Sequence, residues 1–268
     1  MIGHGRHNVL GILVNAVDYE AAVQKIADAA QQRQPLAVSA LAVHGVMTGV
    51  LDREQCYRLN KLDLIVPDGQ PVRWALNRLH GAKLTDRVYG PTLMLKTCER
   101  AAETGLPIFL FGGSEELLGL LHTRLLMRFP KLRIAGTRAS KFRRLSPVER
   151  DETVQAIRDS GAAITFVGLG CPRQEVWAYE FRDALSMPIL AVGAAFNFHA
   201  GQLAQAPRAM QQWGFEWLFR LLAEPRRLWR RYLLLNPMYA SMLCLQAFHL
   251  RRFDPENATP PDHEVLYG

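Results

Sequence analysis

Three features of this chain combine residue types and spacings that can do chemistry: Asp68, two glycine loops, and an arginine-rich stretch from Trp213 to Tyr232. Asp68 stands between Pro67 and Gly69, just after the apolar run Leu62–Val66. A carboxylate there can act as a general base if a substrate hydroxyl comes within hydrogen-bond reach. It can equally be an Asp-Gly turn residue whose side chain caps its own backbone, and position alone leaves both readings open. Gly168-Leu-Gly-Cys-Pro-Arg-Gln-Glu175 joins an apolar run to a helical pattern. Its glycines let a backbone approach a ligand, and a helix N-terminus attracts phosphate. Gly168, Gly170, Gln174 and Glu175 are therefore candidate ligand contacts, against the plainer reading of a strand–helix turn. Arg173 stands where a dinucleotide fingerprint would need a third glycine. Phe111-Gly-Gly-Ser-Glu115 has similar geometry and adds Gly112 and Gly113, with Ser114 also readable as a helix cap.

The arginine stretch is the densest signal. Leu203–Arg252 holds eight Arg, no Lys and two Glu, a local charge of +6. A guanidinium grips phosphate through a rigid bidentate fork, while the interleaved Trp, Phe and Tyr can enter an apolar surface. Arg226/Arg230 and Arg227/Arg231 are i,i+4 pairs on adjacent helix stripes, with Arg220 about two turns earlier. Three readings compete: a solvated basic helix at an oligomer interface, a membrane-surface helix, or a division in which some arginines touch lipid phosphate and others reach the active site. No Asp-x-Asp occurs, though related acidic spacings such as Glu149-Arg-Asp151 do. His44, His80 and His199 lack metal-ligand spacing, so no metal and no cofactor are expected. An enzyme that expels a diphosphate without a metal must neutralise it with arginines.

These residues must be positioned by an alternation of strand-like and helical segments. Val9–Val14 reads as a short strand, followed by an amphipathic helix from an Asp18 cap through Gln31. Leu36–Ala40, Leu62–Val66, Pro107–Phe111, Leu132–Gly136, Ala162–Val167 and Pro188–Val192 read as strands. Helical patterns cover Val43–Leu59, Gly90–Glu103, Glu115–Arg128, Pro147–Ser160, Gln174–Leu185 and most of the chain thereafter to Arg252. This rhythm predicts an α/β fold with a Rossmann-like, mostly parallel sheet, helices on both faces and a helical C-terminal appendage. Ligands in such sheets sit beyond the carboxyl ends of strands, where Asp68, Gly112-Gly113, Gly168–Glu175 and Gly193–Gly201 fall. The expected division is a catalytic domain over 1–202, an Arg/aromatic appendage over 203–252, and a Pro-rich, polar, disordered tail over 253–268.

With 268 residues the chain can bury a full core. Its net charge of +7 divides into about +5 over Met1–Gln202, +6 in the appendage and −4 in the tail. Charge placed this unevenly favours a localised anionic partner over nucleic-acid coating, and no nucleic-acid-reading motif is present. Cys56, Cys98, Cys171 and Cys244 form no CxxC pair, which suits a reducing cytosolic setting. The N-terminus has no signal-peptide core. Tyr232–Leu250 comes nearest to a membrane span, but Asn236, Pro237, Ser241, Gln246 and His249 interrupt it. A surface-lying or protein-packed helix pair is the better reading.

In order along the chain stand Val66-Pro-Asp-Gly69, Asp86-Arg-Val-Tyr-Gly90, Phe111-Gly-Gly113, Gly168–Glu175 with Trp177, Phe196 to Ala200-Gly201, Ala206-Pro207, Gly214-Phe-Glu-Trp217, and Arg220-Leu-Leu-Ala-Glu-Pro-Arg-Arg227 with Arg230 and Tyr232. Through these motifs, from about Asn8 to Pro237, the chain resembles the WecG/TagA/CpsF glycosyltransferases, glycosyltransferase family 26. The resemblance implies a metal-independent, inverting enzyme. It would move a sugar from a UDP-sugar to a polyprenyl-diphosphate-linked saccharide at the inner face of the bacterial cell membrane, in surface or exopolysaccharide biosynthesis. Asp68 matches the family's proposed base, Gln174 its ligand-binding Gln, and Arg220, Arg227 and Arg230 its functional arginines. Gly69, Arg87 and the glycines of the two loops would line the substrate site. The C-terminal appendage would dock on the membrane surface and close over that site, and homo-oligomers are compatible with this. Ala40-Leu41-Ala42 replaces a frequent Thr-x-Asn, Asn197 a frequent Asp, and Gln205 the Arg before Ala-Pro. These departures bear on sugar identity, with N-acetylmannosamine-type and hexuronic (glucuronic-type) sugars both in view. A competing reading is a non-catalytic, membrane-associated assembly partner.

Overall fold

In the computed structural model, which describes Met1–Gly268 throughout, the chain opens on an antiparallel hairpin, β1 (Gly3–Val9) and β2 (Ile12–Val17). The strand expected over Val9–Val14 therefore contains a turn. Leu10 and Gly11 both have positive φ, 55° and 89°, the pairing that suits a tight hairpin turn. Apolar Leu10 concealed that turn in the hydrophobic pattern. Asp18 then caps α1 (Tyr19–Gln31), its carboxylate accepting from the Ala21 N–H at 2.8 Å.

Six parallel strands follow: β3 (Leu36–Leu41), β4 (Leu64–Pro67), β5 (Ile108–Phe111), β6 (Ile134–Arg138), β7 (Ile164–Val167) and β8 (Pro188–Ala191), arranged β4-β3-β8-β7-β5-β6. Successive side chains on a strand face opposite ways, and both faces are covered. Ile65, Phe109, Phe111, Ile189 and Ala191 enter one core. There they meet α2 (Val43–Leu51), α3 (Arg53–Asn60), α4 (Gln70–His80), α7 (Pro147–Asp159), α8 (Arg173–Leu185) and the hairpin. Leu64, Val66, Ile108, Leu110 and Leu190 enter the other, with α1, α5 (Gly90–Thr104), α6 (Glu115–Arg128) and the short α9 (Ala195–His199). Burial on both faces explains why the strands read as continuous apolar runs.

The helical stretch Val43–Leu59 is two helices, because Asp52 leaves helical geometry and its carboxylate caps α3 through the Glu54 and Gln55 N–H groups. After Ala200 the chain forms α10 (Arg208–Gln212), α11 (Glu216–Ala223) and α12 (Pro225–Ala247). The helix pair expected over Tyr232–Leu250 is instead, through Ala247, part of one 23-residue helix. Pro237 lies on the exposed side, where water can satisfy the carbonyl that its missing N–H leaves free. Leu228, Tyr232, Leu235, Met238, Tyr239, Met242 and Leu243 form the inner stripe on the domain, and the Tyr239 hydroxyl donates to the Pro71 carbonyl at 3.2 Å.

The tail corrects a second expectation. Residues 253–268 are docked rather than disordered: Pro255–Asn257 forms a short 3₁₀ turn, and Tyr267 bridges to Arg144. Polar composition suggested disorder, but the buried Glu180 carboxylate accepts from the Val265 and Leu266 N–H groups at 2.7 and 2.9 Å. Phe253 and Leu266 also pack against the core.

Candidate functional site

The carboxyl ends of β3, β4, β5, β7 and β8 open into one cleft of about 790 Å³, roofed by α11 and α12. Its lining includes Ala40, Ala42, His44, Asp68, Gly113, Gly168, Gly170 and Gln174 from the sheet domain. From the appendage come Glu216, Arg220, Glu224, Arg227 and Arg231. A smaller cavity of about 120 Å³ meets it at Asp68, Arg220 and Arg231, and contains Gly69, Arg87, Trp217 and Tyr232.

Asp68 emerges from β4 immediately before α4. Its Oδ1 accepts the Gly90 N–H at 2.6 Å, so the side chain is held by the start of α5 and not by its own turn. Burial raises its pKa to about 6, against the opposing pull of Arg87 and the Gly90 N–H. A half-buried carboxylate tuned this way is ionised at neutral pH yet basic enough to accept a proton.

Gln174 opens the second position of α8 and is buried. Its Oε1 accepts the Gly170 N–H at 3.1 Å, and its Nε2 donates to Glu175 Oε1 at 2.9 Å. Glu175 also receives the Ser39 hydroxyl at 3.0 Å, and burial raises its pKa. Gln174 thus shapes the Gly168–Gly170 loop, and Glu175 holds Gln174 in place from beneath. The glycines divide by task. Gly112 has φ 109°, and a Cβ there would meet the Gly168 backbone at 3.0 Å. Gly168 in turn has no room beside Phe196, 2.5 Å from where its Cβ would lie. Gly112 and Gly168 let two strand-end loops touch, whereas a Cβ on Gly170 would meet open space.

The arginines separate by helical phase. Arg231 shares the inner stripe of α12 with Leu228 and Tyr232, so it points into the cleft, and its Nε is buried without a partner. Burial lowers its pKa, Tyr232 and Cys171 pull it back up, and the Arg220 and Arg227 charges lower it further. Arg220 lies against the Phe198 ring at 5.7 Å, and Arg227 pairs with Glu224 at 2.5 Å at the cleft rim. Arg230, expected beside them, is instead on the exposed stripe, stacked against Trp229 at 5.2 Å. One residue of helix turns a side chain by 100°, and the chain's i,i+4 pattern left open which stripe faced inward. Arg87 is also re-read. It is buried and committed to Glu216 at 2.6 Å and to Gln211 at 3.2 Å, and Glu216 also accepts the Tyr89 hydroxyl at 2.9 Å. Arg87 therefore ties α11 to the domain and reaches only the smaller cavity.

Sequence reasoning missed His44, Glu216 and Arg231 as cleft residues. His44, set aside for want of metal spacing, lies at the N-terminus of α2, and burial with Arg231 and Arg220 nearby lowers its pKa to about 3. It is a neutral imidazole with an unpartnered Nδ1. Ala40 and Ala42, the positions of the Ala40-Leu41-Ala42 departure, line the cleft.

A parallel sheet with a carboxylate and a guanidinium cluster facing one cleft at its carboxyl end has the layout of an α/β enzyme that handles an anionic substrate. The chain belongs to the Glycosyl transferase WecG/TagA/CpsF family, whose description it matches over residues 7–253. The protein is accordingly a glycosyltransferase.

Proposed function

We propose that this enzyme transfers a sugar from a UDP-sugar to a polyprenyl-diphosphate-linked saccharide at the inner face of a bacterial cell membrane, inverting the anomeric centre, in surface or exopolysaccharide synthesis. The observation that carries the reading is the convergence of Asp68 with Arg220, Arg227 and Arg231 on a single cleft. In the proposed step the acceptor hydroxyl attacks the anomeric carbon as the bond to the UDP oxygen breaks. Asp68 takes the hydroxyl proton. The charge left on the diphosphate is met by the guanidiniums, with no reorganisation needed at the moment of transfer. Neutral His44 can hydrogen-bond substrate without adding repulsion beside the arginines. The glycine loops, shaped by Gln174, let bare backbone come close to the nucleotide, while the Gly112, Gly168 and Gly170 N–H groups stay bonded within the domain.

The membrane part of the reading rests on the outward stripe of α12. Arg226, Trp229, Arg230, Leu233 and Leu234 lie there at helical spacing, all exposed. Trp213, Leu222, Phe248 and Leu250 extend the apolar surface, each at least 70% exposed. No helix is long and apolar enough to cross a membrane, so this surface would lie on the bilayer. The decisive test is UDP release from a panel of UDP-sugars with a synthetic polyprenyl-diphosphate saccharide. Turnover restricted to one donor supports the reading and names the sugar. Consumption of none, by folded protein that binds membranes, would favour the non-catalytic assembly partner.

A further inference from the structure

The last residues of the chain lie beyond the family match, which ends at residue 253, yet they are firmly held. Besides the two bonds to Glu180, the Leu145 N–H donates to the Leu266 carbonyl at 2.7 Å and the Gly268 N–H to the Arg143 carbonyl at 3.0 Å. Val265–Gly268 thus runs along the connection that leaves β6. The buried Ser140 hydroxyl joins the two: it donates to the Gly268 carbonyl at 2.6 Å and accepts the Phe142 N–H at 3.0 Å. Phe142 has φ 55° and its ring is 66% exposed, and Leu266 also has φ 55°. Non-glycine residues persist in that left-handed region where their surroundings over-determine them. Here the tail and the loop impose the geometry on each other.

Together they enclose a side cavity of about 200 Å³. It shares Gly113, Gly168, Leu169 and Phe142 with the main cleft, and the tail adds Tyr267, whose ring faces the Arg173 guanidinium at 5.6 Å. The sheet order sets where this cavity stands relative to the base. Asp68 leaves β4 and Gly113 leaves β5, with β3, β8 and β7 between. Four strand spacings make about 19 Å. A ligand that offers its reacting carbon to Asp68 and its diphosphate to the arginines and glycine loops must therefore be extended. Whatever lies beyond the diphosphate falls toward the side cavity. In a nucleoside diphosphate sugar that part is the nucleoside, and its flat base suits a cavity with a glycine-lined floor and two aromatic rings.

We propose that Val265–Gly268 forms a wall of the nucleotide site, with Tyr267 as a stacking platform for the base of the donor. This deepens the donor reading above and rests on it. Tyr267 is a binding residue here and takes no part in the bond exchange.

The test is calorimetric titration of the full chain, and of Tyr267→Phe, Tyr267→Leu and Tyr267→Ala, with UDP and separately with inorganic diphosphate. Loss of one base–aromatic stack is expected to weaken UDP binding about 5- to 100-fold in the Leu and Ala variants. The Phe variant should bind as the unaltered chain does, and diphosphate affinity should not change in any variant. The Leu variant keeps apolar bulk in the tail, and melting temperatures measured alongside identify any undocking. Equal UDP affinity in all four proteins would overturn the assignment while leaving the donor reading intact. Parallel losses for UDP and diphosphate would show a phosphate site and overturn it as well. If the unaltered chain binds diphosphate but not UDP, the donor reading itself fails and the base platform falls with it.

Discussion

At the scale of single residues, Asp68 carries a conflict between stability and function. Its ordinary pKa of 3.8 is raised by burial to about 6. The stability it contributes is therefore fully present below pH 3.8 and lost as pH rises through about 6. As the proposed base, Asp68 would have to act in the opposite, ionised state. The kcat/KM of the unaltered enzyme should fall about tenfold per pH unit below pH 6. Asp68→Asn should turn over at background level at every pH. At pH 8 it should melt above the unaltered protein, with the gap closing near pH 4. Near-normal turnover by Asp68→Asn would remove it as the base. A second residue-scale contrast separates the neighbours Arg231 and Arg230. Removing a donor that meets developing charge costs about 10²–10³ in turnover. That loss is expected for Arg231→Ala and not for Arg230→Ala, assayed on a water-soluble acceptor. Asp68 and Gln174 were legible in the sequence because each follows an apolar strand within a compact motif. Arg231 was not, since a pattern of i,i+4 arginines is the same read from either side of the helix, and only the packing of Leu228 and Tyr232 decides the phase.

At the scale of elements, most strands of the sheet were legible because double-sided burial leaves continuous apolar runs bounded by glycine and proline, and the partly exposed edge strand β6 was legible from its Leu132–Gly136 run. The hairpin turn at Leu10-Gly11 and helix α4 were not, and neither was the docking of the tail. Apolar Leu10 hid the turn, α4 was passed over although Val72, Ala75 and Leu76 recur at helical spacing, and the tail's docking depends on contacts with distant segments. Asn8 and Gln246 likewise tie the hairpin to the end of α12, with the Gln246 side chain bonding the Asn8 carbonyl and the Leu10 N–H at 3.1 and 2.9 Å. The join between appendage and domain has a similar character. It concentrates on Glu216, which accepts from both Arg87 and Tyr89. Glu216→Ala would leave the Arg87 guanidinium buried without its counter-charge, a loss of about 3–5 kcal/mol for breaking a buried pair. Limited proteolysis should then cut first between Gly201 and Phe215, while the β3–β8 sheet stays protected. Resistance equal to that of the unaltered chain would show that the inner stripe of α12 alone holds the roof.

At the scale of the whole molecule, the proposed function would give the two faces of α12 separate tasks. Arg231 faces the cleft and Tyr232 the smaller cavity beside it, whereas Trp229, Arg230, Leu233 and Leu234 face outward. On the proposed membrane reading, a cleft roofed by the helix that meets the lipid surface would bring the acceptor saccharide to Asp68 without requiring a lipid chain to leave the membrane. The outward arginines should add about 1 kcal/mol each near an anionic surface, and that part should fade as salt shortens the screening length to a few ångströms near 1 M. The protein should therefore sediment with vesicles containing anionic lipid at low salt and less with neutral ones. High salt should weaken the anionic preference but leave a residue of apolar binding. Leu233→Glu with Leu234→Glu should remove that residue, and should lower turnover on a long-chain acceptor in vesicles far more than on a short, soluble one. Should both acceptors suffer equally, the outward stripe would be supporting the roof rather than the membrane contact, and the division of α12 into two working faces would be wrong.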